Sequence, residues 1–325
     1  MMATSKGCSE VASIMMRIDP NRIEEGAKAL LKELMPCLEE TDLQIKSLGG
    51  GMVNHLVLCK NLKTQEEPGW VVRIFGEADV LLPRDRAHER KAICLLSASG
   101  LAPKVRCFFV NGVCYDYVEG KLYSWGSQDF KEEYMINSIS NEMARWHCST
   151  NLAEANHIEF DQSPTPVVHM RKLLKSWPKG FEDEQRDNMF KESFPSLPNL
   201  ELEVTEIEKT LKKLEMPIVF GHNDLSMTNL IFLPETGRMM FIDYEWAGMT
   251  YAAWDIGIHL AYSFVGLDTD PTGKLPERSC IARWATSYLD HLGALEGKTF
   301  SEKDRDTLVS NVEIILPVRI ATERL

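Results

Sequence analysis

Two short apolar runs, Pro217-Ile218-Val219-Phe220 and Leu230-Ile231-Phe232-Leu233, bracket the stretch Gly-His-Asn-Asp-Leu-Ser-Met-Thr-Asn (221–229), and a third run, Met239-Met240-Phe241-Ile242, ends on Asp243. Each run is too short for a helix, so this part of the chain is committed to strand, loop, strand, turn at Glu235-Thr236-Gly237, and strand. That order holds a carboxylate, Asp224, and an amide, Asn229, on one rigid loop and brings a second carboxylate, Asp243, from the end of the next strand. A base and oxygen ligands so arranged can sit beside a nucleoside triphosphate and its divalent ions, which is what phosphoryl transfer requires. Asp224 would accept the proton of an attacking hydroxyl, with Asn229 and Asp243 as metal ligands. His222 reads as a hydrogen-bonded support of the loop.

A lone His-x-Asp is common by chance. His-x-Asp-x-x-x-x-Asn followed by a strand and Ile-Asp-x-Glu is far more specific, and the features upstream fall in the matching order. Gly49-Gly50-Gly51 lies before Asn54, between runs at Leu43–Leu48 and His55–Cys59. Glycine lets backbone N–H groups approach phosphate oxygens, although three glycines also make a plain hairpin turn. Arg73, in the apolar run Trp70–Phe75, is either a side chain on a solvated face or a cation aimed at phosphates. Glu89, on a helix expected from about Arg84 to Ser97, can pair with that cation. Asp255, near the start of a helix, is either an N-cap or a buried anchor for the loop backbone, and His259 reads as core.

The remaining periodicity divides the chain. Residues 1–18 read as a flexible leader, after which Asp19-Pro20 supplies a cap and a first helical residue for a stripe of Ile23, Ala27, Leu30, Leu31 and Leu34. Further strands are expected near Lys104–Val110 and Val113–Val118, with a boundary at Gly120. Beyond it, Ile136, Ile139, Met143 and Ala144 mark one helix and Leu202, Ile207, Leu211 and Leu214 another, with long loops and short helices over 150–200. The fold class is α+β: a small N-terminal antiparallel sheet lobe with a helix, residues 19–118, and a larger, mainly helical C-terminal lobe, residues 119–325, forming one catalytic unit.

The net charge of -12 argues against a duplex nucleic-acid partner and suits a small cationic substrate. Eight cysteines without a C-x-x-C pair read as reduced thiols. No basic leader with an apolar stretch and no run of about 18 apolar residues occurs, so a cytoplasmic location without a transmembrane segment is expected.

These residues resemble a known family. Phe220–Asn229, Phe241–Gly257 with its Asp-Tyr-Glu and Asp-Ile-Gly-x-His elements, and Gly50-Gly51-Met52-x-Asn54 are similar to the choline/ethanolamine kinases, from about residue 20 to at least 265. Asn111–Gly120, Asp85-Arg86 with Glu89, and Gly100-x-Ala102-Pro103 look more like the ethanolamine branch. The resemblance implies a protein-kinase-like two-lobed fold and ATP- and Mg²⁺-dependent phosphorylation of ethanolamine on the route to phosphatidylethanolamine. It makes Asp224, Arg73 and Glu89 the catalytic set, and Gly50, Gly51, Asn54, Arg73, Tyr115, Asp116 and Tyr117 the nucleotide contacts. Asn229 and Asp243 become the metal ligands, Asp224, Tyr244, Glu245 and Tyr262 the substrate contacts, and His222 and Asp255 the supports.

Two departures from the family pattern are expected to matter. The glutamate expected after Asp-Ile-Gly-x-His is replaced by the neighbourhood Leu260-Ala261-Tyr262-Ser263-Phe264, which keeps choline as the alternative acceptor. The chain also reads as C-terminally shortened, stopping as a helix begins near Val312. That motivates a catalytically weak isoform that acts by binding, as a homo-oligomer or by pairing with full-length subunits.

Overall fold

Asn111 explains why the sheet of this protein reaches further toward the N-terminus than periodicity suggests. Its side-chain amide mimics a strand partner: Ile18 N–H donates to Oδ1 (2.9 Å) and Nδ2 donates to the Ile18 carbonyl (2.8 Å). The computed structural model describes residues 11–49, 54–64, 68–76, 85–124, 128–149, 160–161, 163–214, 216–264 and 275–322. Within them run β1 (Ala12–Ile14), α1 (Ile23–Leu34), β2 (Leu43–Leu48), β3 (His55–Asn61), β4 (Trp70–Ile74), α2 (Arg86–Ala98), β5 (Val105–Phe109), β6 (Gly112–Asp116) and β7 (Lys121–Leu122). There follow α3 (Glu133–His147), α4 (Thr165–Ser176), α5 (Glu184–Ser193), α6 (Leu197–Lys213), β8 (Ile218–Gly221), β9 (Leu230–Leu233), β10 (Arg238–Phe241), β11 (Gly248–Tyr251), α7 (Ala252–Phe264), α8 (Arg278–Glu296) and α9 (Glu302–Thr322).

The chain forms two compact units. Of the described residues, the first holds those up to Lys121 together with Ile231–Glu245, and the second holds the rest. The segment that ends in Asp243 and Glu245 thus belongs to the first unit, whereas its position in the chain suggested the C-terminal lobe.

In the first unit six strands form a sheet of order β1-β5-β6-β4-β3-β2. All pairings are antiparallel except β1 with β5, where Ser13 faces Phe108 in a parallel register. Residues 12–18 are therefore not a loose leader, since Ile14 and Ile18 enter a core with Leu30, Leu31, Val72, Ile74 and Phe109. Asp19 does not cap α1. Its carboxylate accepts from Asn21 N–H (2.9 Å), and the helix begins at Ile23 without a side-chain cap.

In the second unit α3 packs on α8, α9 packs on both α7 and α8, and α4 packs on α6. The buried stripe of α6 is Leu200, Val204, Ile207 and Leu211, while Leu202 is 66% exposed. Leu202 lies about 200° around the helix from Leu200 and cannot share its face. The last helix starts at Glu302, ten residues before Val312, because Ser301 and Asp304 cap it reciprocally: Ser301 N–H donates to Asp304 Oδ2 (2.8 Å) and Asp304 N–H to Ser301 Oγ (3.2 Å).

Among the described residues, Cys37, Cys59, Cys107, Cys114, Cys148 and Cys280 are free thiols. No helix among the described residues is long and apolar enough to cross a membrane.

Candidate active site

Arg73 enters the interior of the first unit from the middle of β4, a strand buried along its whole length. A guanidinium cannot shed its charge, so the sequence must surround it with carboxylates. Arg73 Nη1 meets Glu89 Oε1 at 3.0 Å, and Nη2 meets Asp243 Oδ1 at 3.1 Å and Glu245 Oε2 at 3.7 Å. Arg86, one turn before Glu89 on α2, reaches Glu89 Oε2 at 2.6 Å and lies over the Phe75 ring at 4.1 Å. Burial works against the Arg73 charge, but Asp243, Glu89 and Glu245 raise its pKa above the ordinary value.

Carboxylates outnumber guanidinium groups in this cluster, among the described residues. Glu89 and Glu245 are almost wholly buried, while the Asp243 side chain is 36% exposed. Asp243 also has left-handed backbone, with φ of 69°. A non-glycine residue there costs on the order of 1–3 kcal/mol, which aims its carboxylate off the line of β10. Tyr244 braces this segment: it is buried, and its hydroxyl donates to the Phe241 carbonyl at 2.9 Å. Tyr244 and Glu245, expected at the substrate, are held inside the first unit, Tyr244 by the Phe241 carbonyl and Glu245 by Arg73 and Arg86.

The expected nucleotide contacts divide. Tyr115, half-buried on β6, has its phenol pushed up to about 12 by burial, within charge reach of Arg73 and Asp243. Asp116 accepts from Arg106 Nη2 at 3.0 Å, and Lys60 lies over the Tyr117 ring at 5.8 Å. Asn54 keeps its Oδ1 buried at the entry to β3, with no hydrogen-bond partner among the described residues. Gly50 and Gly51 lie outside the described residues.

In the second unit the loop after β8 is gripped from beneath by Asp255. Its carboxylate accepts the backbone N–H of His222 (2.6 Å) and of Asn223 (2.7 Å), and His147 Nε2 donates to it at 3.3 Å. Tyr288 stands behind, with its hydroxyl 2.7 Å from His147 Nδ1. Burial would raise the Asp255 pKa, but the His147 hydrogen bond, the nearby imidazoles and the backbone N–H hold it below the usual value. Gly221 is what permits the approach: a Cβ there would lie 2.5 Å from Asp255 Oδ2. Asp255 is therefore the loop's anchor and not an N-cap.

Asn223, held by Asp255, takes a left-handed φ of 65° and donates through Nδ2 to the carbonyls of Trp246 (3.1 Å) and Gly248 (3.4 Å). His222 is fully buried and tilted against the Trp146 ring, and its Nδ1 accepts from Asp224 N–H at 3.3 Å, a supporting role. Asn229 Nδ2 donates to the Asp224 carbonyl (2.8 Å) and to Asp224 Oδ2 (3.3 Å), which leaves Oδ1, the metal-donor atom of an amide, at the opposite end. Tyr262, expected at the substrate, donates its hydroxyl to Asp224 Oδ1 at 3.0 Å, a contact that sequence reasoning did not foresee. The spacing of Asp255, His259 and Tyr262 along one helix face was the available signal.

No group of three or more His, Cys, Asp or Glu side chains that could hold a metal occurs among the described residues. Asn229, in the second unit, and Asp243, in the first, each carry a hard oxygen donor of the kind that serves Mg²⁺ alongside substrate phosphates.

Residues 45–320 match the model of one family, choline/ethanolamine kinase. The chain is 31% identical to Mus musculus ethanolamine kinase 1 over 90% of its own length and 79% of that protein. It is also 31% identical to Mus musculus ethanolamine kinase 2, over 95% of its length and 77% of that protein. The chain belongs to the choline/ethanolamine kinase family. Among solved structures, this family member superposes on Plasmodium vivax ethanolamine kinase with a TM-score of 0.73 at 20% identity, covering 92% of this chain and 79% of that one. It matches the choline kinase of Cryptosporidium parvum with a TM-score of 0.69 at 17% identity, covering 90% and 85% of the two chains. At such identities the structures speak for the fold, a mixed α/β kinase-like one with a sheet-containing and a helical unit. The family and the curated relatives make the chain a kinase.

Proposed function

We propose that this kinase transfers the γ-phosphoryl group of ATP to the hydroxyl of ethanolamine. The acceptor class is supported by the two sequence relatives above, both ethanolamine kinases by name, and the chemistry by the held carboxylate of Asp224. Asp224 takes the proton as the acceptor oxygen forms its bond to phosphorus and the bond to the β–γ bridging oxygen breaks, releasing ADP and phosphoethanolamine. Mg²⁺, when bound by Asn229 Oδ1 and Asp243, supplies neutralisation of the phosphate charge. Arg73, kept in place by Glu89, presents a fixed cation on the nucleotide side, and Tyr115, Asp116 and Tyr117 belong to the segment that meets the base.

The observation that carries this reading is the pair of bonds from Asn229 Nδ2 to Asp224, because it turns one residue's proton acceptor and the other's metal donor into a single rigid unit. Purified protein given ATP, Mg²⁺ and ethanolamine should form phosphoethanolamine, measured by mass spectrometry, with choline as the competing acceptor. Asp224→Asn should lower kcat at least about 100-fold, the lower end for loss of a general base. Turnover that survives that substitution removes Asp224 from the role.

A further inference from the structure

Every residue of α7 from Ala252 to Tyr262 is buried, and most are apolar, as expected of a helix in the middle of a core. The polar exceptions Asp255, His259 and Tyr262 recur at i, i+4 and i+7, which places them on one face. Each holds a different piece of the loop after β8. Asp255 accepts from His222 and Asn223 N–H, His259 Nδ1 lies 3.3 Å from the Leu225 carbonyl, and Tyr262 bonds Asp224. Burial drives the His259 pKa down to about 4, so the ring is neutral and its Nδ1–H is the donor to Leu225. Asp255 and His259 hold backbone, whereas Tyr262 holds a functional side chain.

We propose that Tyr262 is a positioning residue for phosphoryl transfer: its hydroxyl, through Oδ1, fixes the plane of the Asp224 carboxylate that Asn229 holds through Oδ2. This rests on the reading of Asp224 as the base. A carboxylate turns freely about its last torsion, which is broad and two-fold, and a single donor leaves that freedom largely intact. Two donors, one on each oxygen and from different elements, remove it. Tyr262 is 7% exposed, so water competes poorly for the bond, and an ionised acceptor makes it stronger than a neutral one. The phenol does this without adding a formal charge beside the base.

The test is Tyr262→Phe, which keeps the ring and removes the donor. We expect kcat for ethanolamine to fall roughly 10- to 100-fold, the scale of a misplaced catalytic group, with KM for ATP and the thermal midpoint unchanged. An unchanged kcat overturns the proposal, as does a fall in kcat that merely tracks lost stability. A second measurement is independent of both activity and the folding of that variant. With 3-fluorotyrosine at position 262, the ¹⁹F resonance should move on Asp224→Asn if the two groups are bonded, and an unmoved resonance also overturns the proposal. Should the wild-type protein phosphorylate neither ethanolamine nor choline, the functional reading fails, and the ¹⁹F shift still decides the positioning.

Discussion

The Arg73 cluster of the first unit and the Asp224 loop of the second solve the same problem, holding a reactive polar group still, by opposite means. Arg73, on β4, is fixed by full charges from α2 and from the segment after β10, residues distant in the chain. The loop is fixed mainly by hydrogen bonds from one face of α7, with a single buried carboxylate, Asp255, shared among two N–H groups and an imidazole. A buried guanidinium must stay charged, which takes carboxylates. A carboxylate proposed as a base must keep its orientation yet still accept a proton, which takes donors that do not compete for its charge. The first arrangement fails abruptly when one partner is removed, and the second loses aim before it loses structure.

The largest effect should come from breaking the charge cluster. Arg73→Met leaves Glu89, Asp243 and Glu245 facing one another, and urea unfolding should register a loss of about 3–5 kcal/mol, the cost of stranding buried charge. A loss well under 1 kcal/mol would mean water already reaches the cluster. Next comes Asp255→Asn, which keeps one acceptor but removes the charge and strands one buried N–H. About 1–3 kcal/mol should be lost, with kcat reduced as the loop loosens. If this substitution cost more than Arg73→Met, the contrast between the regions would be inverted.

A smaller effect is set by pH. The folded His259 pKa of about 4 lies below the ordinary 6.5, so between these values the unfolded chain binds a proton that the folded chain refuses. Its contribution to stability is complete above pH 6.5 and is lost as pH falls through 4. Glu142, raised by burial to about 7, gives the opposite slope below that pH. The difference between wild type and His259→Asn therefore isolates the histidine, and parallel stability curves would refute the assignment. The smallest change is expected for Arg106→Ala, which breaks a half-exposed pair with Asp116 and should cost less than about 1 kcal/mol. A rise in KM for ATP in that variant would show that the pair holds Asp116 for the nucleotide.

Much of this was legible in the chain. β2 has the bounds its alternating pattern suggested, and α2 and β4 differ from expectation by one or two residues, because local periodicity and Gly100 mark their ends. The candidate phosphoryl-transfer residues stand out because their order along the chain is itself the signature. The partners of Glu245 and Tyr262 were not foreseen for a common reason: each residue was judged by its nearness to a motif, and its ion-pair or hydrogen-bond partner lies far along the chain. The start of the sheet was missed because three residues paired with β5 carry little pattern of their own.

By itself the sequence determined the strand, loop and strand framework, the candidate residues for phosphoryl transfer, and the family, since these depend on identity and spacing within short stretches. Tertiary structure decided that Asp255 anchors the loop, that Asp243 and Glu245 join Arg73, and that Tyr262 serves Asp224. Those choices were settled by which buried donor met which buried acceptor, and a partner 38 or 170 positions away cannot be read from local pattern.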